Sequence, residues 1–219
     1  MAGGLPQPVN HGANGMQRRQ FLPQMAGLGL AGLPGLAQAH EGGALPEEFL
    51  PHEVEIAPGI PAGEIHVMPD EFGLYWTLPE GRAIRYSVGV GRADLYHAGS
   101  YVVRVKKEWP SWKPTPAMVR REPEKYEQYA EDGMPGGLDN PLGARALYLF
   151  VDGRDTFLRI HGTNQPWTIG QAVSNGCARL VNDHIIELYE KVPLGTKVFL
   201  YPKAGNPYSP DEHGMGHHS

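Results

Sequence analysis

Apolar and polar positions alternate in short bursts along the middle of the chain. Residues 64–68 (Glu-Ile-His-Val-Met) alternate, residues 72–78 are rich in aromatics, and residues 83–90 place Ile84, Tyr86, Val88 and Val90 on one side. A period of two marks a β-strand with one buried face. Turn-forming pairs at Asp70-Glu71 and Gly81-Arg82 separate the bursts, so the three predict a meander. Further strands are predicted at 100–105, 146–151, 157–160 and 197–201, the middle two joined by an Asp152-Gly153 turn. One segment has the helical period instead. Over 183–192, Ile185, Leu188, Tyr189 and Val192 share a side, and Asn182 stands where an N-cap belongs. A second short helix fits within 121–130. The pattern predicts a mainly β domain, a sandwich or meander with one or two short helices and long loops.

Between the strands lie two stretches without periodicity. One runs from Trp109 to Pro116 and the other, rich in glycine and proline, covers 133–143. Irregular stretches of this combined length within a domain are usually functional, so the region 109–143 is read as a lid or wall over a site. A solvated insertion is the alternative. Residues 40–62 read as an irregular arm, 63–202 as one domain, and 203–219 as a mobile tail rich in His and Gly.

Composition supports the strand-rich reading. Of 219 residues, 29 are Gly and 21 are Pro, and both interrupt helix interiors. The formal charge of −5 argues against nucleic acid as a partner. No apolar run reaches the ~18 residues of a membrane span.

The N-terminus carries different information. Residues 1–39 hold no Asp or Glu, and Arg18-Arg19-Gln20-Phe21-Leu22 precedes a soft apolar run ending in Ala37-Gln38-Ala39. A basic region, an apolar region and an A-x-A site make a secretory signal, and the paired arginines make it a twin-arginine type. Met16 is an alternative start just upstream. The reading places the mature protein, 40–219 with a charge of −7 once Arg18 and Arg19 are gone, in the periplasm.

In that oxidising compartment a lone cysteine stands out. Cys177 has no partner in the chain, so it is a reactive thiol, an intermolecular disulfide former, or a buried small hydrophobe. Its surroundings favour chemistry. His161 falls at the end of a predicted strand, and Cys177 on a glycine-flanked turn ahead of the 183–192 helix. An imidazole beside a thiol can take its proton, leaving a nucleophilic thiolate, and can later protonate a leaving amine. Gly176 permits a tight turn whose N–H groups face an oxyanion. Arg179 can hold a substrate carboxylate, or form a structural salt bridge. Trp167 can stack on a ligand or pack within its loop, and Trp109 and Trp112 are weighed the same way. Asp152 and Asp155 read as turn residues. No metal site is assigned: His213, His217 and His218 sit in a Gly-rich tail, and His66 and His97 read as packing residues. No cofactor is required.

From Ile160 to about Tyr201 the sequence resembles the L,D-transpeptidase catalytic domain family (YkuD-like). The matching residues are His161-Gly162-Thr163, then Ile169-Gly170, then Ser174-x-Gly176-Cys177-x-Arg179. Asn140-Pro141-Leu142-Gly143 also resembles the family, and a looser likeness covers 63–201. The resemblance implies a β-rich catalytic domain acting on peptidoglycan stem peptides. It makes Cys177 the nucleophile and His161 the general base and acid, with the Gly162 carbonyl orienting the imidazole. Ser174, Arg179 and Trp167 become candidate substrate-binding residues. Asn175 departs from the histidine that many members place before Gly-Cys.

The implied reaction attacks the L-centre of a diamino acid at stem position three, releases D-alanine, and passes the acyl group from a thioester to an amine as a 3→3 cross-link. Water, a D-amino acid or a lysine of a protein such as an outer-membrane lipoprotein are alternative acceptors. The rival readings are an L,D-carboxypeptidase or wall hydrolase using the same thioester, and a non-catalytic wall-binding module.

Overall fold

A computed structural model describes residues 45–92 and 94–204. The export signal, the alternative start and most of the His-rich tail lie outside the described residues. Eleven strands are found among them: β1 (His52–Glu55), β2 (Ile65–Met68), β3 (Gly73–Leu78), β4 (Arg82–Ser87), β5 (Val90–Gly91), β6 (Gly99–Glu108), β7 (Arg145–Val151), β8 (Arg154–His161), β9 (Ala172–Ser174), β10 (Ala178–Arg179) and β11 (Lys197–Leu200). Three α-helices accompany them: α1 (Pro116–Arg121), α2 (Pro123–Tyr126) and α3 (Asn182–Lys191). The fold is mainly β, as the alternation predicts.

Nine strands form one mixed sheet in the order β1-β4-β3-β2-β11-β6-β7-β8-β10, and β5 pairs with β9 in a second, two-stranded sheet. The predicted meander is β2-β3-β4, antiparallel throughout. Three pairings are parallel: β11 with β2, β10 with β8, and β5 with β9.

Period-two patterning sorts side chains between two cores. Ile65, Val67, Leu74, Trp76, Tyr86 and Val88 join Val103, Leu147, Leu149, Ile160 and α3's Ile185 and Leu188 in the main core. Met68 and Tyr75, on the opposite face, join Ile56, Ile60, Ala83 and Tyr201 in a smaller one. Every residue of β2 is buried, which is why a histidine and a methionine occupy its second face.

Some expectations need correcting. The arm expected to be irregular over 40–62 contributes β1, paired antiparallel with β4. Its polar sequence is that of an edge strand, exposed except at Val54, so it shows no apolar face. The helix expected within 121–130 begins earlier and breaks at Glu122, because Pro123 disfavours helical geometry in the residue before it. Thr115 caps α1, its Oγ1 accepting from the Met118 amide at 3.2 Å. Asn182 does not cap α3. It is the first helical residue, and its Oδ1 accepts from the Ala144 amide at 2.9 Å, tying the helix to the start of β7.

One buried group makes stability depend on pH. His66 is fully buried, stacked on Phe199 with ring centres 4.9 Å apart, and its Nδ1 lies 3.1 Å from the Tyr201 hydroxyl. Its Nε2 is 3.5 Å from Glu64, whose other oxygen meets Lys197 at 3.3 Å. Burial lowers its pKa from 6.5 to about 3. The native state therefore keeps this ring neutral where the unfolded chain protonates it. The contribution is complete above pH 6.5 and is lost as pH falls from 6.5 toward 3. His161 and His184 are lowered in the same direction. Chemical denaturation from pH 7 to pH 5 should show falling stability, each histidine adding at most about 1.4 kcal/mol per pH unit. His66→Gln should flatten that slope, and an unchanged slope would exclude His66 as a contributor.

Candidate active site

The site is built where β8 and β10 run side by side. Their parallel register pairs Ala178 with Ile160 and Arg179 with His161. The Leu180 amide donates to the His161 carbonyl at 2.9 Å, and on the other side Arg179 exchanges two backbone hydrogen bonds with Gly89, at 2.8 and 2.9 Å. Side chains alternate along strands, so Ile160 and Ala178 face the main core while His161 and Arg179 face away from it. Continued back one residue, the register sets Cys177 level with Arg159. Cys177, Arg179, Arg159 and His161 thus share one face. The small Ala178 suits the buried position between them.

Two irregularities aim the sulfur. The first is in β8, where the register with β7 shifts and Phe157 adopts a φ of +62°, with its ring exposed. Asp155 Oδ1 accepts from the Phe157 amide at 2.8 Å and is gripped by the Arg159 guanidinium, whose two nitrogens lie 2.6 and 2.8 Å from the carboxylate oxygens. The same guanidinium lies 3.9 Å over the Tyr148 ring. The Cys177 thiol points toward the Phe157 carbonyl at 4.0 Å.

The second irregularity is the turn before Cys177. Gly176 has a φ of +114°, and a Cβ there would lie 2.7 Å from the Leu95 carbonyl oxygen, so glycine is required. Ser174 is buried, donates to the Cys177 carbonyl at 2.6 Å and accepts from the Gly176 amide at 3.3 Å. Ser174 therefore braces the turn that carries Cys177. The Gly176 amide is likewise engaged. Among the described residues the Cys177 amide has no acceptor, which makes it the better oxyanion donor.

His161 is buried, and its Nδ1 is 2.5 Å from the Gly162 carbonyl, which must accept from it. That bond fixes the tautomer and leaves Nε2 as the proton acceptor. Burial, then the positive charge of Arg179, lowers the imidazole to about 3. Burial also raises the Cys177 thiol above its usual value, against the pull of Arg159 and Arg179. Both shifts favour the neutral forms, a thiol and an imidazole, in the free site. The resting ion pair expected from sequence is disfavoured because burial penalises both charges.

The remaining candidates divide. The Arg179 guanidinium forms no ion pair among the described residues and donates to Thr168 Oγ1 at 3.4 Å, so the salt-bridge alternative is not realised. Trp167 is 57% exposed on a short turn at Pro166–Thr168, open to a ligand. Trp112 packs against Tyr126 and Tyr129 instead, at 6.0 and 5.8 Å between ring centres.

Sequence reasoning missed a set of polar residues around Asn175. Its Oδ1 accepts from Arg121 at 2.6 Å and Arg92 at 3.2 Å, and its Nδ2 donates to the Tyr126 hydroxyl at 3.0 Å. Arg92 also pairs with Glu122 at 2.9 Å. The region 109–143 is therefore fastened to the turn carrying Cys177. The one available signal was the departure from histidine at Asn175. Asn140, buried, holds the 133–143 loop through the Met134 and Pro135 carbonyls and the Leu142 amide.

No group of three or more His, Cys, Asp or Glu that could hold a metal occurs among the described residues. A recess of about 480 Å³ lined by Glu55, Ile60 and Arg82 lies by β1 and β4, at the opposite edge of the large sheet from β10.

Residues 62–200 match the family model for the L,D-transpeptidase catalytic domain. The chain belongs to the L,D-transpeptidase family. The probable L,D-transpeptidase ErfK/SrfK of Escherichia coli is 40% identical over 131 residues, 58% of this chain and 40% of that protein. The probable L,D-transpeptidase YbiS of the same organism is 38% identical over 138 residues, 58% of this chain and 41% of that protein. The chain thus spans less than half the length of these two L,D-transpeptidase relatives. A crystal structure of a probable carnitine operon oxidoreductase caia from Brucella melitensis is 43% identical, with 69% of this chain and 93% of that chain covered and a TM-score of 0.49.

Proposed function

We propose that this protein is a periplasmic peptidoglycan L,D-transpeptidase, exported through the signal at 1–39, in which Cys177 is the nucleophile and His161 the general base and acid. The observation that carries the reading is the register of β10 on β8, which sets the residue before Ala178 beside the strand that ends in His161. Membership of the family and the buried, tautomer-fixed imidazole support it.

The reaction begins with both groups neutral. As Cys177 Sγ attacks the carbonyl carbon of the third stem residue, its proton passes to His161 Nε2. The carbonyl oxygen becomes an oxyanion facing the Cys177 amide, a donor of a kind typically worth about 3 kcal/mol. The C–N bond to D-alanine then breaks and His161 returns the proton to the departing amine. A thioester remains. The side-chain amine of a second stem attacks it, His161 takes a proton from that amine, the C–S bond breaks, and the sulfur regains a proton. The product is a 3→3 cross-link. A protein lysine, such as one on an outer-membrane lipoprotein, can stand in for the second amine.

Intact mass of the mature protein after incubation with a tetrapeptide stem tests this directly. The expected result is an acyl adduct on Cys177 with release of one D-alanine, followed by 3→3 dimers. Tripeptide without dimers would instead establish the L,D-carboxypeptidase alternative. Absence of both adduct and D-alanine would leave a wall-binding module.

A further inference from the structure

Two guanidinium groups flank the turn that carries Cys177, and both lack a carboxylate partner among the described residues. Arg179 follows Cys177 by two positions. Arg121, exposed at the end of α1, bonds to Asn175, which precedes Cys177 by two positions. The other arginines near the site are neutralised: Arg92 by Glu122, Arg159 by Asp155.

Arg121 is held in a particular way. Its Nη2 meets Asn175 Oδ1, an uncharged oxygen. Arg92 and Tyr126 fix that amide from two further directions. A carboxylate at position 175 would fix Arg121 equally well and would cancel its charge. The amide fixes it and leaves the charge available, and the rest of the guanidinium fork is exposed. A planar cation so placed matches a carboxylate.

The two cations are not equivalent in position. Arg179 is in register with His161, the group that protonates the leaving amine, so it lies on the leaving-group side. The carboxylate of the departing D-alanine is one carbon from that amine. Arg121 meets the turn from the other end, at Asn175, two residues before Cys177.

Resting on the transpeptidase reading above, we infer that Arg121 is a specificity-determining residue. It binds a free carboxylate on the side chain of the third stem residue, so the site takes dicarboxylic diamino acids in preference to their carboxamides.

The test measures D-alanine release from two tetrapeptide stems differing only in that side-chain group, carboxylate or carboxamide, with the wild type, Arg121→Gln and Arg121→Lys. The wild type should favour the carboxylate stem about tenfold in kcat/KM. Arg121→Gln should lose that preference, kcat/KM falling about tenfold further on the carboxylate stem, through KM, than on the carboxamide stem. Arg121→Lys should restore part of it. Equal rates on both stems in the wild type would overturn the inference. So would a parallel loss on both stems in Arg121→Gln, which is what a purely structural fastening predicts. Failure of the wild type to release D-alanine from either stem would instead bring down the transpeptidase reading, and this inference with it.

Discussion

Cys177→Ala is expected to lower D-alanine release by at least about 10³-fold, the scale seen when a covalent nucleophile is removed from an acyl-transfer site. The thiol has no second role to obscure the result. Its described contacts are with the main chain, the Phe157 carbonyl at 4.0 Å and the Arg159 backbone. The turn around it is held by Ser174 and by the main chain of β10, none of which involves the sulfur. Thermal unfolding of the variant should therefore stay within a few degrees of wild type. Activity loss with an unchanged melting temperature identifies the nucleophile. Retention of more than a tenth of wild-type release would rule Cys177 out.

Gly91→Ala should produce the second largest effect, from outside the sequence motif. Gly91 ends β5, and a Cβ there would lie 2.8 Å from Gly176 Cα, 3.1 Å from the Gly176 nitrogen and 3.2 Å from Tyr96 Cα. All three are main-chain atoms and cannot rotate away, so the turn holding Cys177 must move. Displacement of a reacting group by even 1 Å can cost about 100-fold. Release of D-alanine should fall by about that factor, with a lower melting temperature as the β5–β9 pairing gives way. Gly137→Ala is the control, since a Cβ there meets nothing within 4 Å and its backbone is not in the left-handed region. Equal activity in the two variants would show that the approach of Gly91 to Gly176 has no bearing on catalysis.

Much of this architecture was legible in the sequence wherever a strand buries one face. The 64–68 and 72–78 bursts became β2 and β3, and the 83–90 burst became β4 and the start of β5, because alternation records burial directly. Alternation is silent at sheet edges and at polar positions. β1 carries His52, Glu53 and Glu55 on an exposed edge, so no apolar face announced it. β9 and β10 are two or three residues long, too short to show a period. At the site, the positions of Cys177 and His161 could be proposed from residue type and turn signals. The bracing bonds of Ser174 could not be read there, since whether a hydroxyl faces inward or toward solvent depends on a turn that local sequence does not determine. Asn175, Arg121 and Tyr126 meet across 49 and 54 residues of chain. Only the folded sheet brings such groups together.

The bias of the half-buried sulfur and the buried ring toward their neutral forms has a consequence for the lifetime of the protein. Peroxides, disulfides and alkylating agents all react with thiolates far faster than with thiols. A thiol biased toward its protonated form is therefore chemically quieter than one held as a thiolate. In surroundings that oxidise exposed cysteines, such dormancy preserves a group the chain has no second copy of.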